Sequence, residues 1–186
     1  MFKKLLVKLA KQLDKEKIPY MIIGGQAILL YGEPRLTEDI DITLGVDTDF
    51  LENIKRICCN IDLIKANKID DEFTKKTNVF PCIDRKTGIR IDLIFSYLDY
   101  ERQAINRAKL KRIDNYPVKF ASVEDVIVHK LFAGRARDIE DVNGIIVRQG
   151  RKKINFKYIK KWLVEFEKIP QCSNISDKFK ELIKKK

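Results

Sequence analysis

Residues 21–43 read MIIGGQAILLYGEPRLTEDIDIT, and two features of this stretch decide the fold. One apolar run ends in Gly24-Gly25, and a second carries Asp39 and Asp41 two positions apart. Ionised carboxylates are costly to bury, so something has to offset that pair. On a strand the side chains alternate, which puts both carboxylates on one face, about 7 Å apart, with Ile40 and Ile42 on the other. Without a counter-charge, repulsion and desolvation would raise at least one of their pKa values. A divalent cation supplies that charge: Mg²⁺ takes a few carboxylate oxygens and completes its octahedron with water and substrate phosphates. An exposed edge strand or a calcium loop also shows Asp-x-Asp, so the pair needs further support.

Asp92 supplies some of it. In IRIDLIF it is again a lone carboxylate in an apolar strand, with Ile91 and Leu93 turned to the opposite face. If that strand lies beside the first, three carboxylates meet on the sheet; two would hold metal ions and the third would help to deprotonate an attacking hydroxyl. Gly24-Gly25 then has a use, because a glycine pair between strand and helix lets backbone N–H groups approach a triphosphate closely. Gln26 sits where a side-chain donor could join them. By itself the glycine pair reads equally as a tight turn.

Working outward, 20–23 reads as a short strand, 26–31 as a brief helix broken by Gly32-Glu33-Pro34, and 39–44 as an alternating strand. A helix follows over 48–59, and 60–78 shows no clear pattern. Strands at 79–84 and 89–95 form a hairpin through Arg85-Lys86-Thr87-Gly88. A helix at 98–108 and strands at 110–113 and 118–120 complete a mixed α/β part. Ser122, with Glu124 and Asp125 behind it, starts a region that is helical to the end. Residues 1–121 are thus expected to form a catalytic core, with helical 122–186 packed on it as one compact unit.

At 186 residues, 45% hydrophobic and 35% charged, the chain suits one soluble domain, and no apolar run approaches the roughly 20 residues that span a bilayer. Phe2, Leu5, Leu6, Leu9 and Leu13 fall at helical spacing and Asp14 and Glu16 follow, so the lysine-rich start reads as an amphipathic helix rather than a transit peptide. Cys58, Cys59, Cys82 and Cys172 with a single histidine offer no zinc spacing and suit a reducing cytoplasm. Thirty-eight basic against 27 acidic residues give a net charge of +11. Either this is a lysine-rich solvated surface or the partner is a polyanion.

Gly-Gly, a short helix, Asp-x-Asp and a later strand Asp resemble the signature of the nucleotidyltransferase superfamily, whose fold is shared with DNA polymerase beta. The strings GGQAILLYGEPRLTEDIDI and VEDVIVHKLFAGRARDIEDV are similar to the subgroup that includes AbiEii- and MenT-type toxins of toxin–antitoxin systems. Most members have Gly-Ser where this chain has Gly25-Gln26. The resemblance implies an α/β (α+β) nucleotidyltransferase fold, a small mixed sheet flanked by helices with a helical C-terminal part. It implies that Asp39, Asp41 and Asp92 hold two Mg²⁺ ions, Mn²⁺ serving as well, with Asp92 as base. Gly24, Gly25 and Gln26 would cradle the triphosphate, Arg35 and Lys130 would reach phosphates, and Asp138 or Asp141 would match the closing acidic motif. Read from the residues alone, Arg35 equally suits an ion pair with Glu38 or Asp39, and Arg135, Arg137 and Asp138 suit a surface ion-pair network. His129 is expected to point away from Lys130, and Trp162 to pack in the core.

The expected reaction is transfer of a nucleoside monophosphate from an NTP, ATP included, to a hydroxyl. The charge favours an RNA acceptor, and the resemblance favours the 3′ end of tRNA, with an antitoxin protein as a partner. A small-molecule antibiotic or a protein acceptor is the rival within enzymes, and a non-catalytic RNA-binding relative is the rival outside them.

Overall fold

Leu5, Leu6, Leu9, Ala10 and Leu13 make one buried stripe along the first helix, α1 (Phe2–Lys15), as their spacing predicts. The structure, a computed structural model, describes residues 1–66 and 70–184. By contact it divides into Met1–Gln26 with Leu36–Ala121, and Ala27–Arg35 with Ser122–Lys186.

In the first unit α1 is followed by β1 (Tyr20–Ile22), the start of α2 (Gly24–Tyr31), β2 (Asp39–Leu44), α3 (Leu51–Asn60) and β3 (Leu63–Lys65). Then come α4 (Asp71–Thr77), β4 (Val79–Asp84), β5 (Arg90–Phe95), α5 (Asp99–Asn106), β6 (Lys109–Ile113) and β7 (Tyr116–Phe120). Among the described residues seven strands form one sheet in the order β3-β4-β5-β2-β1-β7-β6. Strands β2 and β5 run parallel, as do β1 and β7, and the remaining neighbours are antiparallel. Helix α1 packs on β6 and β7, α3 on β3, α4 on β4 and α5 on β2. The fold is therefore mixed α/β, a seven-stranded sheet flanked by helices.

Three local readings change. The glycine pair does not precede the brief helix but opens it, Gly24 having φ +60°. The helix expected from residue 48 begins as a 3-10 turn, Thr48–Phe50, whose first N–H groups are drawn in by the Asp47 carboxylate accepting from the Asp49 N–H at 3.1 Å. Within 60–78, β3 buries only Leu63 and α4 only Thr74, too little for a period to show; 67–69 lie outside the described residues.

The second unit is helical: α6 (Val123–Ala133), α7 (Ala136–Gln149), α8 (Phe156–Phe166) and α9 (Ile175–Lys184). Ser122 caps α6, its hydroxyl accepting the Asp125 N–H at 3.3 Å, and Gly134 at φ +64° ends it. Helix α6 packs on α7, α8 and α9 around Ile127, Ile145, Ile159, Leu163 and Phe179. The Ala27–Arg35 segment is held by side chains of α7: the Tyr31 carbonyl accepts from Gln149 Nε2 at 2.8 Å, and the Gly32 carbonyl accepts from Arg148 Nη1. Among the described residues no helix is long and apolar enough to cross a membrane.

Candidate active site

Strand register puts the three aspartates together. Asp41 of β2 lies opposite Asp92 of β5, and Asp39 lies opposite Arg90. Since strand residues two apart share a face, these four side chains form a block of two by two on one face of the sheet. Ile40, Ile42 and Ile91, all fully buried, line the opposite face and fix the register, because a one-residue slip would expose them.

Within the block, Arg90 forks onto Asp92: Nε donates to Oδ1 at 2.9 Å and Nη2 to Oδ2 at 3.2 Å. The hydrogen-bonded Asp92, with Asp39 and Asp41 behind it, holds the Arg90 guanidinium above its ordinary value. Asp39 is steadied by its neighbours. The Thr37 hydroxyl lies 3.3 Å from Asp39 Oδ1, to which it donates, and Gln26 Nε2 donates to the Asp39 carbonyl at 3.4 Å. Gln26 is thus engaged with the backbone of β2. Among the described residues no three Asp, Glu, His or Cys side chains are grouped to hold a metal ion; the fork on Asp92 occupies both of its oxygens.

The glycines are required by Asp41 and by Thr37. A β-carbon on Gly24 would lie 1.8 Å from Asp41 Oδ2, and one on Gly25 would lie 2.2 Å from the Thr37 hydroxyl. Gly24 also has a left-handed backbone that other residues adopt only at a cost. The pair therefore lets the start of α2 lie directly against Asp41 and Thr37.

The other predicted residues belong to the second unit and form a network of their own. Lys130 is 7% exposed; its ammonium donates to Asp138 Oδ1 at 2.7 Å and stands 3.0 Å from Asp141 Oδ2. Arg35 forks onto Asp141 at 3.0 and 3.1 Å, rather than pairing with Glu38 or Asp39. Arg135 forks onto Asp138 at 2.6 and 3.3 Å. Burial pushes both carboxyls up, but the bonds from Arg135 and Lys130 to Asp138, and from Arg35 and Lys130 to Asp141, outweigh it and hold both below the usual carboxylate range. Of the residues that read in sequence as a surface ion-pair network, Arg135 and Arg137 are exposed, but the carboxylate they flank is buried, Asp138 being 1% exposed. Trp162 is half-buried on α8, edge-on to Tyr158 and tilted to Phe166 with ring centres 6.5 Å apart in each pair, and the Lys161 ammonium lies 5.1 Å from its ring centre.

Thr37 and Arg90 are the members of the site that the sequence reading passes over. For Arg90 the signal is present, since it stands two residues before Asp92 and so on the same face. For Thr37 there is none, because 37 precedes the strand and its contact with Gly25 is tertiary.

Three solved structures share the fold. The antibiotic-resistance factor ANT(2″)-Ia in solution matches with a TM-score of 0.63 at 16% identity, over 91% of this chain and 95% of that one. ANT(2″)-Ia in complex with adenylyl-2″-tobramycin matches at 0.56 and 19%, over 81% and 91%. An antigenic nucleotidyltransferase-like protein from Paracoccidioides brasiliensis matches at 0.57 and 21%, over 93% and 90%. None of the curated proteins matches the chain. The model of the family described as nucleotidyltransferase of unknown function (DUF6036) matches residues 2–184, and the chain belongs to that family.

Proposed function

We propose that the chain transfers a nucleoside monophosphate from an NTP to a hydroxyl of RNA, with pyrophosphate leaving. The observation that carries this reading is the register of β2 and β5, which sets Asp41 beside Asp92 with Asp39 on the same face. The carboxylates of Asp39, Asp41 and Asp92 offer hard oxygen donors of the kind that Mg²⁺ or Mn²⁺ takes, and Gly24 carries no Cβ that would push the Asp41 carboxylate off this face. Asp39, Asp41 and Asp92 would hold the cations, whose bound charge would lower the acceptor hydroxyl's pKa and offset charge on the leaving phosphates.

The chain's own residues supply the rest by positioning. Thr37 fixes the rotamer of Asp39, the glycine pair brings the start of α2 against Asp41, and Asp92 accepts the proton of the attacking hydroxyl. Buried Lys130 and Asp138, with half-buried Arg35, contribute as the frame of the helical unit. Residues 1–121 would form the catalytic core, in the cytoplasm.

Support for RNA comes from the net charge of +11 and from the run at Arg151–Lys161, where Lys152, Lys153, Lys160 and Lys161 are all exposed. The resemblance of the two motif strings to AbiEii- and MenT-type proteins supports a tRNA 3′ end as acceptor and an antitoxin as partner. A second reading, a small-molecule acceptor, is favoured by the fold shared with ANT(2″)-Ia, which is described with adenylyl-2″-tobramycin. A basic chain is poorly suited to draw cationic drugs. Incubation with each labelled NTP, Mg²⁺ and either total RNA or an aminoglycoside panel separates the two: label on RNA supports the first reading, label on drug alone replaces it, and label on neither overturns both.

A further inference from the structure

The block formed by Asp39, Asp41, Asp92 and Arg90 contains its own cation. Resting on the metal-dependent reading above, we propose that Arg90 is a displaceable counter-ion: it pairs with both oxygens of Asp92 and competes with divalent cations for them.

The geometry supports exchange in three ways. First, the fork is complete, with both oxygens of Asp92 engaged at 2.9 and 3.2 Å, so an ion cannot take either in its best direction while Arg90 stays. Second, Arg90 can leave cheaply. It is the first residue of β5, and its side chain is 58% exposed against 20% for Asp92. An exposed ion pair of this kind contributes little net stability, so breaking it is a small cost beside binding a divalent ion. Third, the exchange is needed. Asp39 stands directly opposite Arg90 and Asp41 opposite Asp92, so in the absence of an ion the guanidinium lies across a field of three negative groups that would otherwise repel one another.

Arg90 is thereby a positioning residue with two effects of opposite sign. It keeps Asp92 oriented along the face of the sheet before loading, and it weakens the first binding of a cation. A bound NTP, which brings phosphate oxygens as further ligands and as a new partner for a released guanidinium, would tip the exchange. Cation loading is then coupled to nucleotide arrival.

The test is Mn²⁺ binding to the full chain without nucleotide, followed by electron paramagnetic resonance of the free ion, in the parent, Arg90→Gln and Arg90→Lys. Removing one positive charge from beside the carboxylates should tighten Mn²⁺ binding roughly tenfold in Arg90→Gln. Arg90→Lys, which keeps the charge and loses the fork, should fall between. In melting experiments Arg90→Gln should start no higher than the parent without cation and gain more on Mn²⁺ addition. A structural pair would behave otherwise: freeing Asp92 would leave affinity unchanged or weaken it, and that outcome in folded Arg90→Gln overturns the proposal while leaving the metal site standing. Absence of Mn²⁺ binding in the parent and in both variants overturns the metal reading itself, and this proposal with it.

Discussion

Gly24 and Asp41 stand so close that a β-carbon on the glycine would lie 1.8 Å from the carboxylate oxygen Oδ2. The contact joins the first turn of α2 to the second strand across the centre of the proposed site, and it makes the glycine as specific to the chemistry as the aspartate.

Gly24→Ala should therefore be severe for so small a change. A left-handed alanine costs about 1–2 kcal/mol before any collision is counted, and Asp41 would have to turn away from the face it shares with Asp92. Melting temperature should fall, and the further stabilisation given by Mg²⁺ with NTP should vanish. A variant with the parent's ligand-induced shift would show that Asp41 keeps its place in the site without a glycine beside it.

Asp41→Asn should act in the opposite direction on the empty protein. Relieving one charge in a facing set leaves the fold as stable without cation or more so, while activity and the ligand-induced melting shift disappear. An equal shift in parent and variant would remove Asp41 from the metal-holding set.

Lys130→Met tests the network of the helical unit. Removing the ammonium leaves Asp138 and Asp141 buried with less compensation, and breaking a buried pair in this way costs about 3–5 kcal/mol. Urea unfolding should show the loss; a change below about 1 kcal/mol would mean that Arg35 and Arg135 satisfy the two carboxylates alone.

His129, the single histidine, gives a pH dependence of one sign, which the Glu101 carboxyl, pushed up by burial, partly opposes. The residue is half-buried as a whole, but its Nε2 is shielded from water, and burial pushes its pKa from 6.5 down to about 4, with Asp125 pulling back upward. The folded value is the lower, so between these limits the unfolded chain binds the extra proton and stability rises with pH. Stability should be full above pH 6.5 and should fall toward pH 4, by roughly 3 kcal/mol at most. Asp138 and Asp141, depressed below 3.8, add a second loss below that pH. His129→Gln should flatten the first window and leave the second; an unchanged profile would assign the first to other groups.

Neutralising Lys152, Lys153, Lys160 and Lys161 together tests the acceptor. All four are exposed, so the fold should be unaffected. If each meets a phosphate of single-stranded RNA, the log–log salt slope should flatten by up to about 3, with NTP binding spared. RNA binding equal to the parent's would make the run a solvated helix face.

Much of the first unit is legible in the sequence because its strands are clean. The alternation of DIDITL gives β2 with its observed ends, and Asp92 among apolar neighbours points to a second strand on the same face. Register then does the rest, and register is what sequence alone leaves open. Lys130 shows the opposite case. Its partners Asp138 and Asp141 are near in sequence and readable as a helical pattern, but the network also takes in Arg35, 106 residues from Asp141. A reading by local period sees a charged, exposed helix there. The glycine pair was open to two readings, turn or cradle, and the structure adds a third constraint, the space taken by Asp41 and Thr37.

The assignment of Ala27–Arg35 to the helical unit has a consequence for how the chain comes to be folded. That segment leaves the ribosome early, yet Asp141, Arg148 and Gln149, which hold Arg35, Gly32 and Tyr31, follow more than 100 residues later. Closing so long a loop is slow relative to local pairing. The sheet of the first unit can be built while this piece waits, and a ribosome stalled near residue 121 would present it with its carboxylate and amide partners still unmade.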